Sequence, residues 1–243
     1  MKRLFKTLAT TALLPLFCFS ASQAQETAAG ATGTATLTGT VKLTGAKPAT
    51  KAISMASDPI CAGAHAEPTH EESAIVGEGG ALKWVFVHVK EGVTGTYPIP
   101  KTPVVLDQIG CTYKPHVFGV QAKQKIEIRN SDATLHNVHA LPKDNREFNL
   151  GMPMQGMKLK KKFTKPEVMV KIKCDVHSWM SCYAGVLSHP FYAVSADDGL
   201  FSIAELPAGT YTIEAWHETF GTQTQSVTIG DGETKSIDFA FSG

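Results

Sequence analysis

Short alternating runs, separated by turn residues at close intervals, restrict this chain to layered β-structure. Residues 36–43, 125–129, 168–173, 211–216 and 225–229 alternate, and 84–89 is a continuous β-rich run. A period of two puts every second side chain on one face of a strand, as in a sheet with one buried side. Turn-forming stretches at 77–80, 130–132, 197–199, 207–209 and 230–232 punctuate the runs. No long stretch carries the helical period. Many short strands with turns at such spacing predict an all-β chain built as an antiparallel sandwich.

Charge and the N-terminus narrow the function classes. The chain of 243 residues has 23 basic and 22 acidic side chains, and Lys2, Arg3 and Lys6 stand in an acid-free opening. Without residues 1–24 the balance is 20 basic against 22 acidic, which excludes nucleic-acid binding driven by bulk charge. Those 24 residues read as a signal peptide, with a basic start, an apolar stretch over 8–19 and the small-residue site Ser22-Gln23-Ala24. The apolar stretch falls short of the roughly 20 residues that span a bilayer. Cleavage after Ala24 is expected, leaving a periplasmic or secreted protein with no membrane span. Behind it, 25–34 reads as a flexible leader rich in Ala, Gly and Thr, 35–82 as N-terminal strands followed by loops, 83–195 as a central domain holding most of the histidine and sulfur chemistry, and 196–243 as a run of hairpins.

Five cysteines are too few for a disulfide scaffold, and Cys18 leaves with the signal. Of the other four, Cys174 has the informative context: Cys174-Asp175-Val176-His177-Ser178-Trp179-Met180 offers a thiolate, an imidazole and a thioether three residues apart, just after a strand. Upstream, Leu135-His136-Asn137-Val138-His139 follows another strand and its turn, and supplies a second imidazole if the two strands are neighbours. Two His, one Cys and a weaker Met are the donor set of a type 1 copper site, where soft sulfur suits Cu(I) and imidazole keeps Cu(II) acceptable.

The Cys-x-x-His-x-x-Met loop and the His-Asn-Val at 136–138 resemble the cupredoxins, particularly those of the amicyanin type. The resemblance covers about 100–190. It implies a Greek-key sandwich holding one type 1 copper (Cu+/Cu2+), with His136, Cys174 and His177 as equatorial ligands and Met180 as the axial one. It also implies that Asn137 pins the ligand loop and hydrogen-bonds near the thiolate. The activity implied is one-electron transfer between redox protein partners, with no catalysis. Copper storage or delivery is an alternative, for which Met152, Met154 and Met157 offer soft donors, although an apolar surface is the preferred reading of these three. Another is a zinc-stabilised or metal-independent binding module, for which Cys174, His177, Cys182 and His189 have zinc-ligand types. His139 lies three positions from His136, which on a regular strand turns it to the opposite face and makes it a hydrogen-bonded or exposed residue. His116 stays ambiguous. The exported context favours a disulfide between Cys61 and Cys111 with Cys182 as a free buried thiol, and other pairings stay open. Lys158, Lys160, Lys161, Lys162, Lys165, Lys171 and Lys173 either protect a strand edge or steer an acidic partner.

The C-terminal Asp198-Gly199-Leu200-Phe201, then Leu206-Pro207-Ala208-Gly209-Thr210-Tyr211, resembles a transthyretin-like, carboxypeptidase-regulatory-type module, and residues 39–45 resemble its first strand. This implies a second, smaller β-sandwich split around the central domain. Such modules suggest carbohydrate or protein contact, but fold alone does not assign it.

Overall fold

The alternating runs pair into four sheets stacked as two sandwiches. The computed structural model describes residues 29–243, so the expected signal peptide and its cleavage site lie outside the described residues. In the central sandwich, one sheet has the order Val117–Gln121, Ser181–Leu187, Glu167–Lys173, His136–Leu141, Phe148–Met152. The facing sheet has the order Thr112–Lys114, Val104–Ile109, Ile126–Asn130, Lys158–Lys161. Leu106, Ile126 and Ile128 meet Val138, Ala140, Val170, Ile172 and Ala184 in a shared core. Each such aliphatic side chain contributes about 1.5–3 kcal/mol when fully withdrawn from water.

The second sandwich joins distant parts of the chain. Ala35–Thr44 pairs with Leu200–Leu206, Thr234–Ser236 and Phe239–Ser242, while Phe86–Glu91 lies between Tyr192–Val194 and the hairpin Gly209–His217/Gly221–Ile229. Its core includes Leu37, Val41, Val87, Val89, Phe201, Ile213 and Phe239. The first strand therefore joins the C-terminal strands. Phe86–Glu91 and Tyr192–Val194, placed by sequence at the ends of the central domain, pair with each other instead, and Phe86–Glu91 pairs on its other edge with Gly209–His217 of the C-terminal hairpin. A β-rich run carries no record of which edge it will join.

Two further differences have physical causes. The sheets are mixed rather than purely antiparallel: Val117–Gln121 runs parallel to Ser181–Leu187, and Val104–Ile109 to Ile126–Asn130. Alternation encodes faces, not strand direction. The part of the supposed flexible leader that is described is pinned, with the Gly33 amide donating to Glu205 O at 2.8 Å and Thr34 to Asp231 at 2.6 Å.

The sandwiches meet where glycines of the central sheet leave room for aromatic rings of the second sandwich. A Cβ on Gly185 would lie 2.3 Å from the Phe86 ring, and one on Gly119 2.0 Å from the Tyr192 ring. The Tyr192 hydroxyl donates to Gly119 O at 2.9 Å. His116, buried at the same junction, bonds Glu218 and lies 3.9 Å from Glu72, which makes it an inter-sandwich contact.

One buried carboxylate anchors a loop of the central sandwich. Glu167 accepts the amides of Lys143, Asp144 and Asn145 at 2.5–3.1 Å, and the Asn145 side chain at 3.0 Å. Burial raises its pKa, but these donors outweigh burial and hold it below the ordinary glutamate value. Its stabilising contribution is therefore complete above the unfolded value of about 4.3 and is lost as pH falls through the lower folded value. Glu167→Gln should lower stability by about 2 kcal/mol at neutral pH. In urea unfolding the gap from wild type should close below that window; a gap that persists in acid would refute the assignment.

Candidate metal centre

The strands Glu167–Lys173 and His136–Leu141 are direct neighbours, with Lys173 opposite His139 and Ile172 opposite Ala140. This sets His136, the first residue of one strand, beside Cys174, the residue after the other. The loop that follows closes on itself: the Cys174 amide donates to Met180 O at 3.1 Å, and the Met180 amide to His177 O at 3.0 Å. A third amide, that of His177, donates to Cys174 Sγ at 3.3 Å. His136, Cys174 and His177 are all buried, and one donor atom from each lies within 4.8 Å of the others. The Nδ1 atoms of the two imidazoles are 3.0 Å apart, and Cys174 Sγ is 3.9 Å from Nδ1 of His177. Met180 is buried in the same loop.

Asn137 ties the two elements together. Its Oδ1 accepts the amide of Asp175 at 2.7 Å and that of Val176 at 3.3 Å, and lies 3.2 Å from Cys174 Sγ. Its Nδ2 donates to Asn149 and Asp175. Asn137→Ala should destabilise the metal-free protein by about 2–3 kcal/mol, since two loop amides lose their acceptor. Thermal unfolding checks this, and an unchanged midpoint would remove Asn137 from the anchoring role.

The outer edges of both imidazoles are held by carboxylates. His136 Nε2 is 2.9 Å from Asp132 Oδ2, and His177 Nε2 is 3.1 Å from Asp58 Oδ2. Asp132 also accepts the amides of Gly110 and Cys111, both at 2.8 Å, from two residues with left-handed backbone. Asp58 accepts the Thr134 hydroxyl at 2.7 Å and caps the short helix Pro59–Gly63. Such outer hydrogen bonds fix ring orientation and basicity.

The charges follow. Burial lowers His136, but Asp132 and Cys174 outweigh it and raise the ring to about 9. Burial raises the Cys174 thiol, but His136 and the nearby amides bring it below its ordinary value. Asp58 is lowered to about 2, first by Thr134. The pocket therefore eases ionisation of the sulfur and favours a charged His136 ring.

Sequence reasoning missed Asp58, Asp132 and Trp179. Asp58-Pro59 is a helix-start signal and 130–132 a turn signal, but neither announces a contact with histidine. Trp179 packs on His177 with ring centroids 4.9 Å apart and donates to Cys111 O at 3.0 Å.

The remaining candidates lie elsewhere. His139 bonds Asp175 and Glu147 at 2.9 and 2.8 Å. Met152 is buried and accepts from Gln108, Met154 is 64% exposed, and Met157 is partly buried against the central core. Cys182 is a free buried thiol, and neither it nor His189 belongs to a metal-capable group among the described residues. Cys61 and Cys111 form a disulfide, with Cα atoms 5.5 Å apart. Lys158–Lys161 is the outer strand of its sheet, the place where lysines discourage edge pairing.

No curated protein matches the chain. Among solved structures, a Cu-containing nitrite reductase from Thermus scotoductus SA-01 is similar at 20% identity and a TM-score of 0.34, covering 42% of this chain and 25% of that one. The chain thus spans about a quarter of that reductase's length. A purple cupredoxin from Nitrosopumilus maritimus is similar at 16% identity and a TM-score of 0.30, covering 34% of this chain and 98% of that one. An oxidised amicyanin variant is similar at 18% identity and a TM-score of 0.31, covering 48% and 93%. At the C-terminal end, residues 186–242 match the carboxypeptidase regulatory-like domain.

Proposed function

We propose that this protein binds one copper ion at His136, Cys174, His177 and Met180 and carries single electrons between protein partners. The observation that carries the reading is the buried gathering of two imidazole nitrogens and one thiol, each imidazole held from behind by a carboxylate. The donor types fit copper: the thiolate and thioether are soft, and the imidazoles suit both oxidation states. When bound, copper would supply a one-electron couple. The protein's own residues orient the donors, exclude water and ease ionisation of the sulfur. Hydrogen bonds from opposite sides restrain the donors, so little of the pocket needs to rearrange when the charge changes.

Partner docking fits the residues that flank the site. Leu135, Val176 and Ile60 are exposed apolar side chains next in sequence to His136, His177 and Cys61. A redox protein with an apolar face would dock on these side chains, which flank the buried donors. We place this exchange outside the cytoplasm, following the signal-like N-terminus. We assign no catalytic step to the chain, and contact with carbohydrate or protein through the C-terminal module is a further part of the proposal.

Adding Cu(II) to the metal-free protein should give an intense visible thiolate-to-copper absorption at one equivalent. Folded protein that takes up copper without this band would overturn the reading. Zinc retained from the native host with copper excluded would favour the zinc-stabilised module.

A further inference from the structure

Each imidazole of the centre turns one edge toward the other ring and its second edge toward the cystine. His177 Nε2 is 3.7 Å from Cys61 Sγ as well as 3.1 Å from Asp58. Asp58, Cys61 and His177 form one group whose donor atoms lie within 4.8 Å of one another, and Cys111, Asp132 and His136 form another. The two half-cystines thus stand in matching sets of sulfur, carboxylate and imidazole, and neither set includes Cys174. While the sulfurs are bonded to each other they carry no charge and bind metal poorly. Once reduced, they become two soft donors beside two carboxylates.

We propose that Cys61 and Cys111, in their reduced form, make a second metal site that takes a soft monovalent ion such as Cu(I). The site rests on the copper reading above only through the shared imidazoles; its thiolates bind whether or not Cys174 does. The reduction is a thiol–disulfide exchange with a dithiol. One thiolate of the dithiol attacks a cystine sulfur and breaks the Cys61–Cys111 bond, and its second thiolate then releases the mixed disulfide. Two electrons and two protons pass to the cysteines, and the dithiol leaves as its own disulfide. Metal binding then displaces the thiol protons to solvent.

Two features make the site workable. The sulfurs stay close after reduction, because both segments are anchored independently of the disulfide. Asp58 bonds Thr134 and His177 on one side, and Asp132 bonds the Gly110 and Cys111 amides and His136 on the other. Both half-cystines are buried, and Cys61 lines the floor of a surface pocket of about 350 Å³ with Met55 and His65, so a dithiol reaches the sulfurs from that pocket once the covering segment around Pro59–Gly63 opens. Copper capacity is then set by the oxidation state of the cystine.

The test uses the full exported chain, either with the cystine intact or after dithiothreitol treatment and anaerobic desalting. Both forms are titrated with Cu(I) against bicinchoninate. The reduced form should take up one equivalent more than the intact form, and reoxidation should abolish the difference, a control that needs no mutation. Cys61→Ser/Cys111→Ser should show no extra equivalent after either treatment, while Cys174→Ser should keep it. Equal uptake by the two forms would overturn the proposal, as would an extra equivalent in the double-serine variant or failure of dithiothreitol to free two thiols in the native chain. A wild type that lacks the visible copper band but gains an equivalent on reduction would refute the main centre and support this one.

Discussion

If the proposed copper centre is present, Cys174→Ser should abolish the intense visible absorption of the copper-loaded protein while leaving the metal-free fold in place. The expectation follows from the donor set: in the group formed with His136 and His177, Cys174 supplies the anionic sulfur. Serine keeps the size and can donate to Asn137 Oδ1, so the buried position stays satisfied, at a folding cost of about 1 kcal/mol. Its hydroxyl does not ionise near neutral pH, so the thiolate-to-copper transition has no origin and a soft ligand is lost. Copper affinity should fall by more than the roughly 10–100-fold that follows loss of an outer hydrogen-bond partner. Met180→Leu is the contrasting case: a volume-conserving change that should keep the colour and shift the reduction potential. Optical titration of the three proteins checks both. Colour surviving in Cys174→Ser would place the chromophore elsewhere.

The gathering of His136, Cys174 and His177 is legible because it is written locally. Cys174, His177 and Met180 share one loop, and the strands that bring in His136 each show their own alternation. The registers Ile172–Ala140 and Lys173–His139 then satisfy the condition that the strands be neighbours. The second sandwich was legible in part, since the strand at 35–44 and the C-terminal hairpins carry matching patterns. Its other members, Phe86–Glu91 and Tyr192–Val194, were assigned to the central domain because alternation says which face is buried and nothing about which edge is joined. Asp58 and Asp132 were invisible for a related reason. Each is explained completely by its local role, as a helix cap and as a turn residue. Its contact with an imidazole depends on a segment 119 positions away for Asp58, and on left-handed backbone at Gly110 and Cys111 for the placement of Asp132.

Removing the disulfide should have the largest effect on stability. Cys61 and Cys111 are 50 positions apart, and closing a loop of that length restricts the unfolded chain by about 4 kcal/mol on the chain-entropy account. For a domain of this size each kcal/mol shifts the midpoint by about 2–4 °C, so Cys61→Ala/Cys111→Ala should melt roughly 10 °C lower. The loss should be uneven. The segment around the helix Pro59–Gly63 places few apolar side chains in the core, chiefly Met55 and Cys61. Otherwise it is held by polar contacts such as Asp58 with Thr134 and His177, and His65 with Gly110 O at 2.6 Å. In the variant, amide exchange should rise first over 52–66, while Glu167–Lys173 and His136–Leu141 stay protected, because each is laddered on both edges to strands that do not carry the cystine. The copper colour should persist, since Cys174, His136 and Asn137 sit on those protected strands and their adjoining loop. A variant that loses colour and strand protection together would show instead that the covering segment is needed to build the centre.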